Sequence, residues 1–195
     1  MSLSKLADLE KLAEDARIQM GAKTIDDLVD PLLIELEDVK VISLNDISEV
    51  SKKTYKYLIE EAGSEWSAMS VPLDLSFEKW VILINHTHDI ERQRASILEE
   101  FWHIIQGHSL VRIIQMGNSH GRSYHPDEED EAFYLASATL LPKLSVEKFV
   151  FDINRNLDLF AKKYGVSQQL VEFRIKRLGL WYHYKPKKIS FIKPK

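Results

Sequence analysis

Midway along the chain the apolar pattern changes period, and that change limits the fold more than any other feature. Trp80-Val81-Ile82-Leu83-Ile84 is a β-favouring apolar run and predicts a strand. His86 to Glu91 is polar and turn-like. Arg92 to Gln106 then predicts a helix, with Gly107 placed as its C-terminal stop. A polar loop is expected through Asn118, Gly121, Ser123 and Pro126. Asp127 to Leu141 predicts the next helix. It is acidic at its start, as the helix dipole favours, and Pro142 closes it.

The flanking segments fit around this centre. Leu6, Leu9, Leu12, Ala13 and Ala16 recur at helical spacing, and Gly21 is a plausible stop. Thr24 with Asp27 resembles a capping box, so a second helix is expected there. Val39 to Leu44 reads as a short strand, and Ser51 to Ala62 as a helix ended by Gly63. The last third reads as helical up to Leu180. The fold class is therefore α+β, a small sheet against a helical body.

No cysteine is present, so a disulfide framework and thiolate ligation are both excluded. Any metal must be held by His, Asp or Glu. The 195 residues, 45% hydrophobic and 29% charged, suit one soluble domain with a sizeable core. A signal peptide and a membrane-length apolar run are not seen, so the expected compartment is the cytoplasm, with no membrane partner. The net charge of −4 argues against nucleic-acid binding through overall charge. The segment from Lys185 to Lys195 nevertheless carries five lysines and no acid. It reads as a solvated end or as a contact for phosphate.

Glu99 and His103 are four apart on the predicted helix, which places both side chains on one face. Two donors so spaced can grip one ion, as the histidines of His-Glu-x-x-His do. Glu100 sits where that motif carries its general base, the group that takes a proton from the attacking water. Glu99 replaces the first histidine. A carboxylate remains a legitimate zinc ligand, though its charge weakens the ion as a Lewis acid. Read alone, these residues also fit an ordinary charged helix with a packed histidine.

A wider pattern surrounds them. Arg92-Gln93-Arg94 leads into Glu99-Glu100-Phe101-Trp102-His103, with Gly107-His108 behind. Glu129-Asp130-Glu131-Ala132 and Ala136-Ser137-Ala138-Thr139-Leu140-Leu141-Pro142 come later. Ala161 to Ser167, Val171, Arg174 and Leu178-Gly179-Leu180 complete the series. In order and spacing, Trp80 to Leu180 resembles the ImmA/IrrE family of zinc metallopeptidases.

The resemblance implies a zincin-like domain over 1–195: N-terminal helices and strand in 1–63, a metallopeptidase-like core in 64–142, and a helical segment with the basic tail in 143–195. It implies zinc, or another divalent ion, on Glu99, His103 and Glu129, with Glu100 as catalytic base. Glu131 is the rival third ligand if the register slips by two. The substrate it implies is a protein, such as a helix-turn-helix repressor of mobile elements or stress genes. This chain departs from the family at Glu99, where histidine is usual, and at Phe133, where asparagine is usual. The two departures can compensate, because a carboxylate ligand leaves no imidazole there to orient.

His120, Tyr124 and His125 fall between the two metal helices. Each is either an oxyanion stabiliser or an ordinary loop residue. His108 is expected to meet helix-terminal carbonyls, and Arg92 and Arg94 to form structural ion pairs. Asp127, Glu128 and Asp130 read as helix-start acids, and the four tryptophans as core or groove-lining residues. The strand Trp80 to Ile84 is either core or the strand along which an extended peptide lies. Leu157 to Leu180 reads as a helix-turn-helix-like pair that packs on the core; a DNA reader would present Gln168, Gln169 and Lys176. Beside the enzyme stand two further readings: a binding module without turnover that acts in transcription, and a prophage accessory protein with a structural metal.

Overall fold

The computed structural model describes residues 3–34, 37–48, 50–73, 78–108, 113–116, 119–122 and 125–185, with backbone alone at Leu3, 113–116 and 119–122. Helix α1 (Leu3–Gln19) forms where the leucine spacing predicts it and buries Leu9 and Ala13. Gly21, at φ 89°, ends it by letting Ala22 N–H reach the Arg17 carbonyl at 3.0 Å.

The second helix expected after Thr24 does not form. Asp27 accepts from the backbone N–H of Lys23 at 2.7 Å and of Thr24 at 2.9 Å, which closes a turn instead. The buried Arg17 then claims the Asp27 carbonyl at 2.7 Å, and Ser145 claims that of Ile25 at 3.1 Å. These carbonyls would have served a helical ladder, so tertiary bonds override the local signal. The chain instead runs on into a short 3-10 turn, Pro31–Leu33.

Strand β1 (Val39–Ser43) and helix α2 (Lys52–Lys56) match their predictions. Ser51 caps α2, which widens into a π-helical turn over Tyr57–Glu61. Strand β3 (Trp80–Ile84) forms as its apolar run predicts, whereas strand β2 (Ala68–Pro72) has no such signal. The sheet order is β1-β3-β2, with β1 parallel and β2 antiparallel to β3. β3 is thus the central strand with both sides occupied, so the peptide-laying role considered for it is excluded. Fully buried Asn85 anchors its end, donating to the carbonyls of Gly63 at 2.9 Å and Trp66 at 3.2 Å.

Helix α3 (Ile90–Ile105) then crosses the sheet, and Gly107 at φ 61° stops it. In place of the expected polar loop, β4 (Ile113–Met116) and β5 (Ser119–Arg122) pair as an antiparallel hairpin. Helices α4 (Pro126–Leu140), α5 (Lys143–Phe151), α6 (Leu157–Tyr164), α7 (Gln168–Arg177) and α8 (Trp181–Tyr184) complete the α+β architecture. Among the described residues no helix is long and apolar enough to cross a membrane.

The core lies between α3, α4 and the sheet. Ile82, Ile97, Leu98, Trp102, Leu135 and Leu141 are essentially inaccessible. Each such side chain contributes roughly 1.5–3 kcal/mol of burial. The Trp102 indole N–H donates to Thr139 Oγ1 at 3.1 Å, which fixes α3 against α4.

Arg94 on α3 is buried. It lies 4.0 Å from Asp30 and donates to the Val29 carbonyl, as a structural ion pair should. Arg92 departs from that expectation: its Nε donates to the Ser67 hydroxyl at 2.8 Å. Gly165, the turn between α6 and α7, sits on Arg94 with φ 58°. A Cβ there would stand 2.9 Å from the Arg94 Nη1. Gly165→Ala should therefore cost the left-handed penalty of about 1–2 kcal/mol plus the displacement of a pinned guanidinium. Gly179→Ala is the control, with φ 72° and open space around its Cβ position. Urea unfolding should show a clearly larger loss at Gly165; equal losses would remove Arg94 from the account.

Candidate metal centre

Helices α3 and α4 build the site. His103 is buried on α3, and its Nε2 faces Glu129 Oε2 of α4 at 4.0 Å. Glu99 stands one turn earlier on the same face of α3, close enough to Glu129 and Glu100 for their charges to act on it. Residues two apart on a helix point in widely different directions. Glu131 accordingly turns away and pairs with Lys5 of α1, while Asp130 bonds Arg177 of α7 at 2.7 Å. Of Glu129 and Glu131, it is Glu129 that faces His103, while the charge of Glu128 also acts on that ring.

Glu100 is buried and accepts from the backbone N–H of Ser70 at 2.8 Å. The ladder explains this contact. Ser67 and Leu73 bond β3 from the two ends of β2, through Asn85 N–H at 2.9 Å and Lys79 C=O at 2.8 Å. By alternation, Ala68, Ser70 and Pro72 turn their backbone away from β3. Pro72 has no N–H to leave unpaired there. Glu100 thus reaches the side of β2 that no strand covers among the described residues.

The electrostatics are those of crowded acids. Burial, then Glu129, then Glu100, push the Glu99 carboxyl up to about 8. Glu129 is raised by burial and by Glu100 and Glu128. Burial, then His108, lower His103 to about 4, with Glu128 opposing. At neutral pH His103 is therefore a neutral imidazole and Glu99 retains its proton. Among the described residues no three His, Asp or Glu side chains are already gathered around one point. The donor chemistry still suits a divalent cation: a buried, neutral imidazole beside carboxyl groups whose charges repel one another when ionised. Zinc ligands about 2.0–2.2 Å from the ion stand roughly 3.4 Å apart in a tetrahedron, so the His103–Glu129 pair is less than about 1 Å too wide.

Other sequence candidates fall elsewhere. His125 is exposed and N-caps α4, accepting weakly from Asp127 N–H at 3.4 Å. His120 lies on β5, where only the backbone is described, and Tyr124 lies outside the described residues. His108 does not serve helix-terminal carbonyls with its ring; that ring contacts His103. Phe133 packs edge-on to Phe173 of α7, with ring centroids 4.7 Å apart. Gln168 and Gln169 are exposed, and Lys176 Nζ lies 4.5 Å over the Trp181 ring. Lys185 pairs with Glu172 at 2.6 Å; the rest of the basic tail lies outside the described residues.

A peptidase family model, described as the IrrE N-terminal-like domain, matches residues 58–176. That span is more than half of the chain. The chain belongs to this family. No curated protein and no solved structure matches it. The match to the IrrE N-terminal-like domain runs from the end of the α2 segment almost to the end of α7. It takes in the sheet strands β2 and β3, helices α3 and α4, and the helix-turn-helix-like pair. The sequence pattern from Trp80 to Leu180 falls largely within it. A peptidase-like protein of the ImmA/IrrE type is therefore the identity of the domain.

Proposed function

We propose that the chain is a metal-dependent intracellular peptidase that acts on a transcriptional repressor. One observation carries this: His103 and Glu129 face each other across α3 and α4, with Glu99 and Glu100 alongside. Glu99, His103 and Glu129 would hold zinc or another divalent ion. When bound, the ion polarises the scissile carbonyl and acidifies the attacking water. Glu100 takes the proton. Its hydrogen bond from Ser70 N–H keeps one carboxylate oxygen engaged and orients the other.

Elemental analysis of purified protein should find one metal equivalent in the wild type and loss in Glu99→Ala, His103→Ala and Glu129→Ala. Glu100→Gln should retain the metal while hydrolysis of a repressor substrate falls by about 10²–10⁴. A wild type without stoichiometric metal, unchanged by Glu129→Ala, would sink the reading.

A second reading is a peptidase-like module that binds protein or DNA without turnover. It is favoured by Glu99, which stands where the family usually has histidine and holds its proton to near pH 8. The exposed Gln168 and Gln169 of α7 give it a surface. Metal-independent, strongly salt-sensitive DNA binding with an inert Glu100→Gln variant would select it.

A further inference from the structure

We infer that His108 is the positioning residue for His103, fixing its tautomer so that Nε2 presents a lone pair rather than a proton. The contact between the rings is independent of the metal reading above, but the direction of the shared proton rests on it. Gly107, in the left-handed region at φ 61°, turns the chain back at the end of α3. His108 N–H consequently bonds the His103 carbonyl at 3.0 Å, and the two rings come together. Their Nδ1 atoms are 2.9 Å apart, with centroids 5.0 Å apart and planes at 70°.

Two Nδ1 atoms at that distance share one proton: one ring donates and the other accepts. His103 points Nε2 towards Glu129, the direction from which a cation would be bound. Ligation through Nε2 needs that nitrogen unprotonated, so the His103 proton must sit on Nδ1. His108 Nδ1 is the acceptor that holds it there. Ligand histidines generally depend on such a partner for ring orientation and basicity. Helix α4 spends Phe133, its residue one turn after Glu129, on the Phe173 ring. The partner is supplied instead from the end of α3 itself, across a glycine.

The test has two arms. In chelator-treated wild type near neutral pH, nitrogen-15 spectra should show His103 as the Nδ1–H tautomer; an Nε2–H tautomer overturns the inference without any variant being made. In the second arm, zinc affinity is measured by competition with a chromophoric chelator. His108→Phe should weaken it about 10–100-fold, whereas His108→Asn, which restores a hydrogen-bond acceptor, should recover most of it. Unchanged affinity in His108→Phe, or an equal loss in both variants, overturns the positioning role. If the wild type takes up no zinc, the metal reading fails and the tautomer arm alone decides this one.

Discussion

Glu10→Ala should destabilise the protein by about 3–5 kcal/mol, the cost of leaving a buried charge without its partner. Arg174 on α7 is wholly inaccessible. Its Nη2 donates to both Glu10 oxygens, at 2.6 and 2.5 Å, and its Nε to the Leu141 carbonyl at 3.1 Å. The guanidinium lies 5.0 Å from the centroid of the Tyr134 ring, and the Tyr134 hydroxyl donates to Glu10. One cation thus joins α1, helix α4, the turn after it and the helical C-terminal part. Removing Glu10 leaves a buried cation without its anion. The double variant Glu10→Leu/Arg174→Met should regain much of the loss, because apolar side chains of similar volume can replace a buried pair. Urea unfolding of the two singles and the double gives the coupling. A loss below about 1 kcal/mol in Glu10→Ala would mean that Arg174 finds water or another anion.

The parts of the fold that are legible in the sequence are those with a long period and firm punctuation. β3, α3 and α4 announce themselves through Trp80 to Ile84, the Gly107 stop and the Pro142 stop. β2 does not: Ala68-Met69-Ser70-Val71-Pro72 is short, mixed in polarity and ends in proline, so its pairing with β3 is a tertiary fact. The β4–β5 hairpin is hidden by its polar turn residues, which outweigh Ile113 and Ile114. Thr24 misleads for a different reason. The carbonyls of Ile25 and Asp27 are consumed by Ser145 and Arg17, residues remote in sequence or on another element.

The site divides the same way. The four-residue spacing puts Glu99 and His103 on one face, and the family resemblance adds Glu129 by its distance to Leu141-Pro142; that Glu129 faces His103 while Glu131 pairs with Lys5 depends on the orientation of α4. The role of His108 is not legible even though Gly107 signals the helix stop, because the sequence does not say that the turn brings its ring Nδ1 onto that of His103. Ser70 is not legible either, because its role rests on a backbone N–H rather than on a side chain.

Glu99→Gln should stabilise the metal-free protein, and more so as pH rises. In the unfolded chain the Glu99 carboxyl ionises near 4.5; in the fold, burial and the charges of Glu129 and Glu100 delay ionisation to about 8. Between those values the native state holds a proton that the unfolded chain has released. The unfolded state then binds fewer protons, so stability falls with each step up in pH until about 8 and flattens beyond it. Below pH 4.5 both states are protonated and Glu99 costs nothing. Each tenfold difference in proton affinity is about 1.4 kcal/mol. Glu99 is only partly shielded from water, so a gain on the order of 2–3 kcal/mol at about pH 8 is expected from a neutral, isosteric amide. Chemical denaturation of wild type and Glu99→Gln in excess chelator, from about pH 4 to 9, reads this directly. The two curves should coincide at the acid end and separate above it. Parallel curves would mean that Glu99 ionises in the fold as it does in water. Addition of zinc should reverse the order: a cation that binds only the native site stabilises the wild type by mass action, and the amide variant forgoes that gain.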